Sequence, residues 1–142
     1  MPSNQELKRL NCPTPRVELG LALKNLANSC IDISDGLEQD LSHILKASSV
    51  GAVIEVKKIP ISETLNIYIK DTNDWSFPLY GGDDYELCFT VPKGNEEALK
   101  KFSKSCNVKI TRIGVINESL RLQIEGLQTE SFDGLRNSYQ HF

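Results

Sequence analysis

Two short stretches of this chain place acidic residues where the backbone must change direction. One is Ile31-Asp32-Ile33-Ser34-Asp35-Gly36-Leu37 and the other is Gly81-Gly82-Asp83-Asp84-Tyr85-Glu86-Leu87. Neighbouring carboxylates repel one another, so a fold gains little from grouping them unless a cation bridges them. Phosphate chemistry commonly supplies that cation as Mg²⁺, a hard ion that takes oxygen ligands and leans on substrate phosphates.

Alternation along a strand puts Asp32 and Ser34 on one face, with Ile31 and Ile33 turned toward a core. Asp35 falls at the turn into a helix. Two carboxylates and a hydroxyl then converge where backbone N–H groups point outward, a place able to hold Mg²⁺ and phosphate oxygens together. The plainer reading is an ordinary helix start, with Ser34 or Asp35 as an N-cap worth about 1 kcal/mol; it leaves Asp32 idle. Gly81 and Gly82 permit positive φ and close approach to a ligand, and they equally suit a turn before a strand. His43 reads as a surface residue, and Trp75 and Phe77 as core or edge packing. The chain holds no Walker-A loop, G-x-G-x-x-G, H-E-x-x-H or G-x-S-x-G, so no self-contained catalytic motif is present.

The elements that must position these residues follow from periodicity. An extended lead-in of about a dozen residues is expected up to Cys12-Pro13-Thr14-Pro15. A helix is predicted over Val17 to Ala27, with Leu19, Leu23 and Leu26 on one face, and a strand over Ser29 to Ser34. The clearest helix is Gly36 to Ser48: Leu37, Leu41, Ile44 and Leu45 form its buried stripe, and Glu38, Gln39, Asp40 and Lys46 lie mostly outside. Asp35 with Glu38 resembles a capping box, and Gly51 is placed to end the helix. A strand over Ala52 to Val56, a short helix from a Ser62 cap through Ile69, and a polar loop at Asp71-Thr72-Asn73-Asp74 come next. Tyr85 to Val91 alternates as a strand. Asn95 to Ser105 reads as a helix with Leu99 and Phe102 inside. Val108 to Ile116 and Leu120 to Ile124 read as a hairpin around Asn117-Glu118-Ser119. The tail, Phe132 to Phe142, has no clear period. The order suggests an α+β or α/β domain, one mixed sheet with helices packed on it.

The chain has 142 residues, a length that suits one domain with a real core. A net charge of −3 argues against a nucleic-acid partner. No apolar run approaches the roughly 20 residues of a membrane span, and the polar Met1–Leu10 stretch lacks a signal-peptide core, so a cytoplasmic protein is expected. Cys12, Cys30, Cys88 and Cys106 form no C-x-x-C pair, which argues against zinc; Cys30 and Cys88 read as reduced, buried thiols.

Taken jointly, the motifs resemble the thiamine-monophosphate kinase family. The Ile31–Leu37 stretch with Asp40-Leu41 is similar to that family's acidic strand–helix junction. Gly81 to Leu87 resembles its Gly-Gly-Glu-Asp-Tyr-Glu-Leu motif, with Asp83 standing where glutamate is usual. Pro13-x-Pro15-Arg16-Val17 and Ser48-x-x-Gly51-Ala52 also match. Tyr139-Gln140-His141-Phe142 resembles a Tyr-Asp-His-Phe tail.

The resemblance runs from Arg9 onward and is to the family's C-terminal half. It implies a single domain that works with an N-terminal domain carrying most of the magnesium cluster, much of the nucleotide site and the homodimer contact. It implies transfer of the γ-phosphoryl of ATP to thiamine monophosphate. Asp32 and Asp35 would bind Mg²⁺, Ser34 would contact ATP, and Asp83 and Tyr139 would contact the thiamine phosphate; no residue here is a catalytic group. Two other readings stay open: another ATP-dependent enzyme of the same superfamily, resembling aminoimidazole ribonucleotide synthetase or selenophosphate synthetase, and a non-catalytic binding module.

Overall fold

The computed structural model describes residues 7–8 and 11–127. Tyr139 and the Phe132–Phe142 tail lie outside the described residues. Helices α1 (Val17–Leu23), α2 (Leu37–Ser48), α3 (Glu63–Thr72), α4 (Ser76–Tyr80) and α5 (Glu96–Ser105) interleave with strands β1 (Ser29–Asp32), β2 (Gly51–Glu55), β3 (Leu87–Thr90), β4 (Gly114–Asn117) and β5 (Leu122–Glu125). This is the expected α+β arrangement of helices with a mixed sheet. The strands divide into two sheets rather than one, however: an antiparallel pair β1–β3 and a mixed three-stranded sheet β4–β2–β5.

The core forms where the apolar stripe of α2 meets both sheets. Leu37, Leu41, Ile44 and Leu45 pack in one cluster with Ala52 and Ile54 of β2 and with Val56, Trp75, Leu79 and Cys88. Burying each such large side chain contributes roughly 1.5–3 kcal/mol. Leu19 and Leu23 of α1 are buried as their spacing requires.

The expected hairpin does not form. β2 lies between the two strands, antiparallel to β4 (Ala52↔Ile116) and parallel to β5 (Ala52↔Leu122). Asn117 Oδ1 accepts from the N–H of Ser119 at 2.9 Å, which turns the chain across the head of β2. A side chain at Gly51 would collide with Asn117 and Ser119 there. Gly51 therefore opens β2 instead of ending α2; the helix stops at Ser49, in the left-handed conformation at φ 52°. The residues from Val108 to Ile113, expected in a strand, are irregular.

Other elements are shorter or differently placed than expected. α1 stops at Leu23 and continues as turns. The lead-in is helical where described: Leu7, Lys8 and Asn11 are in helical conformation, and Cys12 N donates to Lys8 O at 2.9 Å. α2 begins after Gly36, which takes the N-cap position one residue beyond Asp35. Ser62 does cap α3, accepting from the N–H of Leu65 at 3.2 Å. Trp75 is buried, whereas Phe77 is 59% exposed and meets Tyr68 edge-on. Leu99 and Phe102 are only half-buried. Cys88 is buried as expected, but Cys30 is exposed on the outer face of the two-stranded sheet.

Candidate functional site

The two acidic stretches are 50 residues apart in sequence and are strapped together in the fold. β1 pairs with β3 from Ser29↔Thr90 to Asp32↔Leu87, and the pairing carries on past both strand ends. Ile33 N donates to Glu86 O at 2.8 Å, Tyr85 N to Ile33 O at 3.1 Å, and Asp83 N to Ser34 O at 3.0 Å. Gly82 passes so close to Ser34 that a methyl group would collide with its carbonyl oxygen. Gly36, at φ 112°, lets the other segment turn against the backbone of Tyr80. Gly82 is thus required by close backbone contact between the two motifs, and Gly36 by its positive φ against Tyr80.

Asp32 ends β1 with an exposed side chain. Ser34 and Asp35 are half-buried in the turn ahead of α2, and Gln39 Nε2 donates to Asp35 Oδ2 at 3.2 Å. Asp83 and Asp84 are exposed on the facing loop. Tyr85 OH donates to Asp83 Oδ1 at 3.2 Å. That hydrogen bond pushes the Tyr85 phenol above its ordinary value, and the charges of Asp83 and, more weakly, Asp32 add to the effect. Asp32, Ser34, Asp35 and Asp83 are therefore brought onto two adjoining segments. Tyr139 lies outside the described residues.

Two site features escaped the sequence reading. Asp40, expected outside α2, is 3% exposed. Its Oδ2 accepts from the N–H groups of Ser34 at 3.0 Å and Asp35 at 3.1 Å. A buried carboxylate is tolerated when it is fully engaged in this way, and here it fixes the turn that presents Ser34 and Asp35. Helical spacing held the signal: Asp40 falls at i+3 from Leu37 and i−4 from Ile44, on the apolar stripe. The second feature is a two-pronged ion pair, Arg16 Nε to Glu86 Oε2 at 2.9 Å and Arg16 Nη2 to Glu86 Oε1 at 2.8 Å. A separation of 70 residues gave it no local signature.

The donor set is carboxylate and hydroxyl oxygen, which suits a hard divalent cation. Among the described residues, no three His, Cys, Asp or Glu side chains gather into a metal-holding group. A groove lined by Lys46, Ser49 and Leu120 lies at the C-terminal end of α2, away from the acidic turn at its start.

Residues 9–126 match the model of the family described as AIR synthase related protein, C-terminal domain. The chain belongs to that family. The match of this AIR synthase related domain embraces both acidic segments and all five strands. Among curated proteins it is similar to the thiamine-monophosphate kinase of Escherichia coli (strain K12), at 45% identity over 121 residues, 85% of this chain and 36% of that protein. The thiamine-monophosphate kinase of Pyrococcus abyssi is 41% identical over 99 residues, 70% of this chain and 31% of that one. The chain spans about a third of the length of these curated relatives.

Solved structures agree with the family's fold. The thiamine-monophosphate kinase of Stenotrophomonas maltophilia K279a superposes with a TM-score of 0.79 at 39% identity, covering 86% of this chain and 39% of that one. AaThiL complexed with AMPPCP and TMP superposes with a TM-score of 0.71 at 30% identity, covering 92% of this chain and 41% of that one.

Proposed function

We propose that this chain is the C-terminal domain of a thiamine-monophosphate kinase, inactive alone and completed by an N-terminal domain. The whole enzyme would be a cytoplasmic homodimer with no nucleic-acid or membrane partner, and would transfer the γ-phosphoryl of ATP to thiamine monophosphate. The observation that carries this reading is the strapping of Asp83 and Tyr85 onto Ser34 and Ile33. It assembles two distant motifs into one acidic edge, in a chain whose curated relatives are thiamine-monophosphate kinases.

Phosphoryl transfer asks the protein for positioning and charge neutralisation more than for covalent chemistry. Asp32 and Asp35 offer carboxylate oxygens that fit Mg²⁺, which when bound neutralises phosphate charge. Two ligands are few for such an ion; phosphate oxygens and an N-terminal domain would supply the others. Ser34, half-buried with its amide held by Asp40, would contact ATP. Asp83 and Tyr139 would contact the thiamine phosphate. Asp83 is one methylene shorter than the glutamate usual at that position, and the hydroxyl of Tyr85 orients it.

The test is thiamine diphosphate formation from ATP and thiamine monophosphate, with the matching N-terminal domain supplied. Activity is expected, and Asp32→Asn and Asp35→Asn should each lower it by about 100-fold or more. A verified, folded complex without activity would overturn the reading. Product from another substrate of an ATP-dependent superfamily member, in place of thiamine diphosphate, would favour the second reading, which the breadth of the family description leaves room for.

A further inference from the structure

The segment from Gly81 to Glu86 is held in a conformation that its own residues do not favour. Asp83 lies at φ 63° and Tyr85 at φ 52°. The left-handed region is uncommon for residues other than glycine and is a true outlier for a bulky side chain such as tyrosine. Such a conformation persists only where the surroundings over-determine it. Backbone bonds from Asp83 to Ser34 and from Tyr85 to Ile33 hold one side of the loop. The residue that follows, Glu86, is gripped by both prongs of the Arg16 guanidinium.

Arg16 is well placed to be that grip. It stands at the N-cap of α1, whose Gly20 faces Leu87 of β3. α1 is itself anchored by Leu19 and Leu23, at 4% and 2% exposure. The Arg16 and Glu86 side chains are only 28% and 35% exposed. Water therefore competes for the pair less than on an open surface, and the planar fork fixes direction as well as distance. The backbone carbonyl of Glu86 also takes the N–H of Ile33 at 2.8 Å. Glu86 is thus a joint between three parts: the start of α1, the acidic end of β1 and the Asp83 loop.

We infer that Arg16 is a positioning residue for the substrate loop: through its fork on Glu86 it holds Asp83 and Tyr85 in the left-handed conformation that presents the Asp83 carboxylate. This inference rests on the kinase reading for the identity of the substrate, and on the geometry alone for the grip.

Two measurements separate those supports. The first is amide hydrogen exchange in the 142-residue chain. Arg16→Ala should speed exchange at Asp83 and Tyr85 by about tenfold or more, while Ala52 and Glu55 in β2 keep their wild-type rates. Arg16→Lys, which retains the charge and loses the fork, should speed the same two amides to a smaller degree. The charge-exchanged pair Arg16→Glu with Glu86→Arg should bring them back toward wild type. The second measurement is steady-state kinetics with the N-terminal domain supplied. There Arg16→Lys should raise KM for thiamine monophosphate by about tenfold with kcat changed less than about twofold.

Unchanged exchange at Asp83 and Tyr85 in Arg16→Ala overturns the inference. So does an equal acceleration in β2, which would make the pair a support of the whole fold. Should Arg16→Ala not fold, Arg16→Lys decides by the same criterion. A wild-type complex that makes no thiamine diphosphate removes the kinase reading, and the exchange rates still decide the grip.

Discussion

Replacing Asp40 with alanine would strip the amides of Ser34 and Asp35 of their acceptor in a half-buried turn. Leaving polar groups unpaired in this way costs about 1–3 kcal/mol, so Asp40→Ala should lower the urea midpoint accordingly, and Asp40→Asn should lower it less because an oxygen can remain in place. Cys88 makes a second residue-scale case. Burial, with smaller contributions from Cys30 and Asp40, pushes its thiol up from the ordinary 9.0 to about 11. Only the thiolate reacts with iodoacetamide, so Cys88 should resist alkylation at pH 8 while exposed Cys12 is modified. The folded thiol holds its proton to higher pH than the unfolded one. The stability this contributes is complete below pH 9 and drains away as pH climbs toward 11, which urea melts at pH 8 and near pH 11 would register as a loss. The buried Cys88 was legible from its strand position, whereas the exposure of Cys30 was not. The two thiols sit on adjacent strands of one small sheet with opposite faces, and only the packing of α2 against one face decides which thiol loses water.

At the scale of elements, α2 and β2 were readable because each carries a strong period: the stripe Leu37, Leu41, Ile44 and Leu45, and the buried Ala52 and Ile54. The partner of each strand was not readable. Alternation reports that a segment is a strand and says nothing about what lies beside it, so two consecutive strands flanking Asn117-Glu118-Ser119 suggested a hairpin while the fold placed β2 between them. Gly114 records that insertion, since any side chain there would run into the backbone of Val53. Gly114→Ala should destabilise the three-stranded sheet by roughly 1–3 kcal/mol, the usual cost of overpacking, with amide exchange accelerated at Ala52 and Glu55. An unchanged urea midpoint would show that β4 can shift aside. The same limit shortened the Tyr85–Val91 strand. The regular strand runs Leu87–Thr90: positive φ at Asp83 and Tyr85 breaks the extended backbone ahead of it, although both residues stay bonded to the continuation of β1 at Ser34 and Ile33.

For the whole molecule, the proposed function divides the metal site between the acidic segments of this chain and an N-terminal domain. Titrating Mg²⁺ into the chain by itself should therefore give weak binding, in the millimolar range expected of one or two carboxylates without substrate phosphates, and Asp32→Asn should weaken it further. Tight binding by the chain alone would contradict a divided site. Residue types and their order were enough to establish the acidic motifs, the family they resemble and the helices and strands with strong periods, because each depends on local spacing along the chain. Tertiary structure alone decided that Arg16 grips Glu86 across 70 residues, that β2 separates β4 from β5, and that the two acidic motifs share an edge. Each of these is a contact between distant parts of the chain, and its free energy arises only when the core brings them together and excludes the water that would otherwise satisfy them.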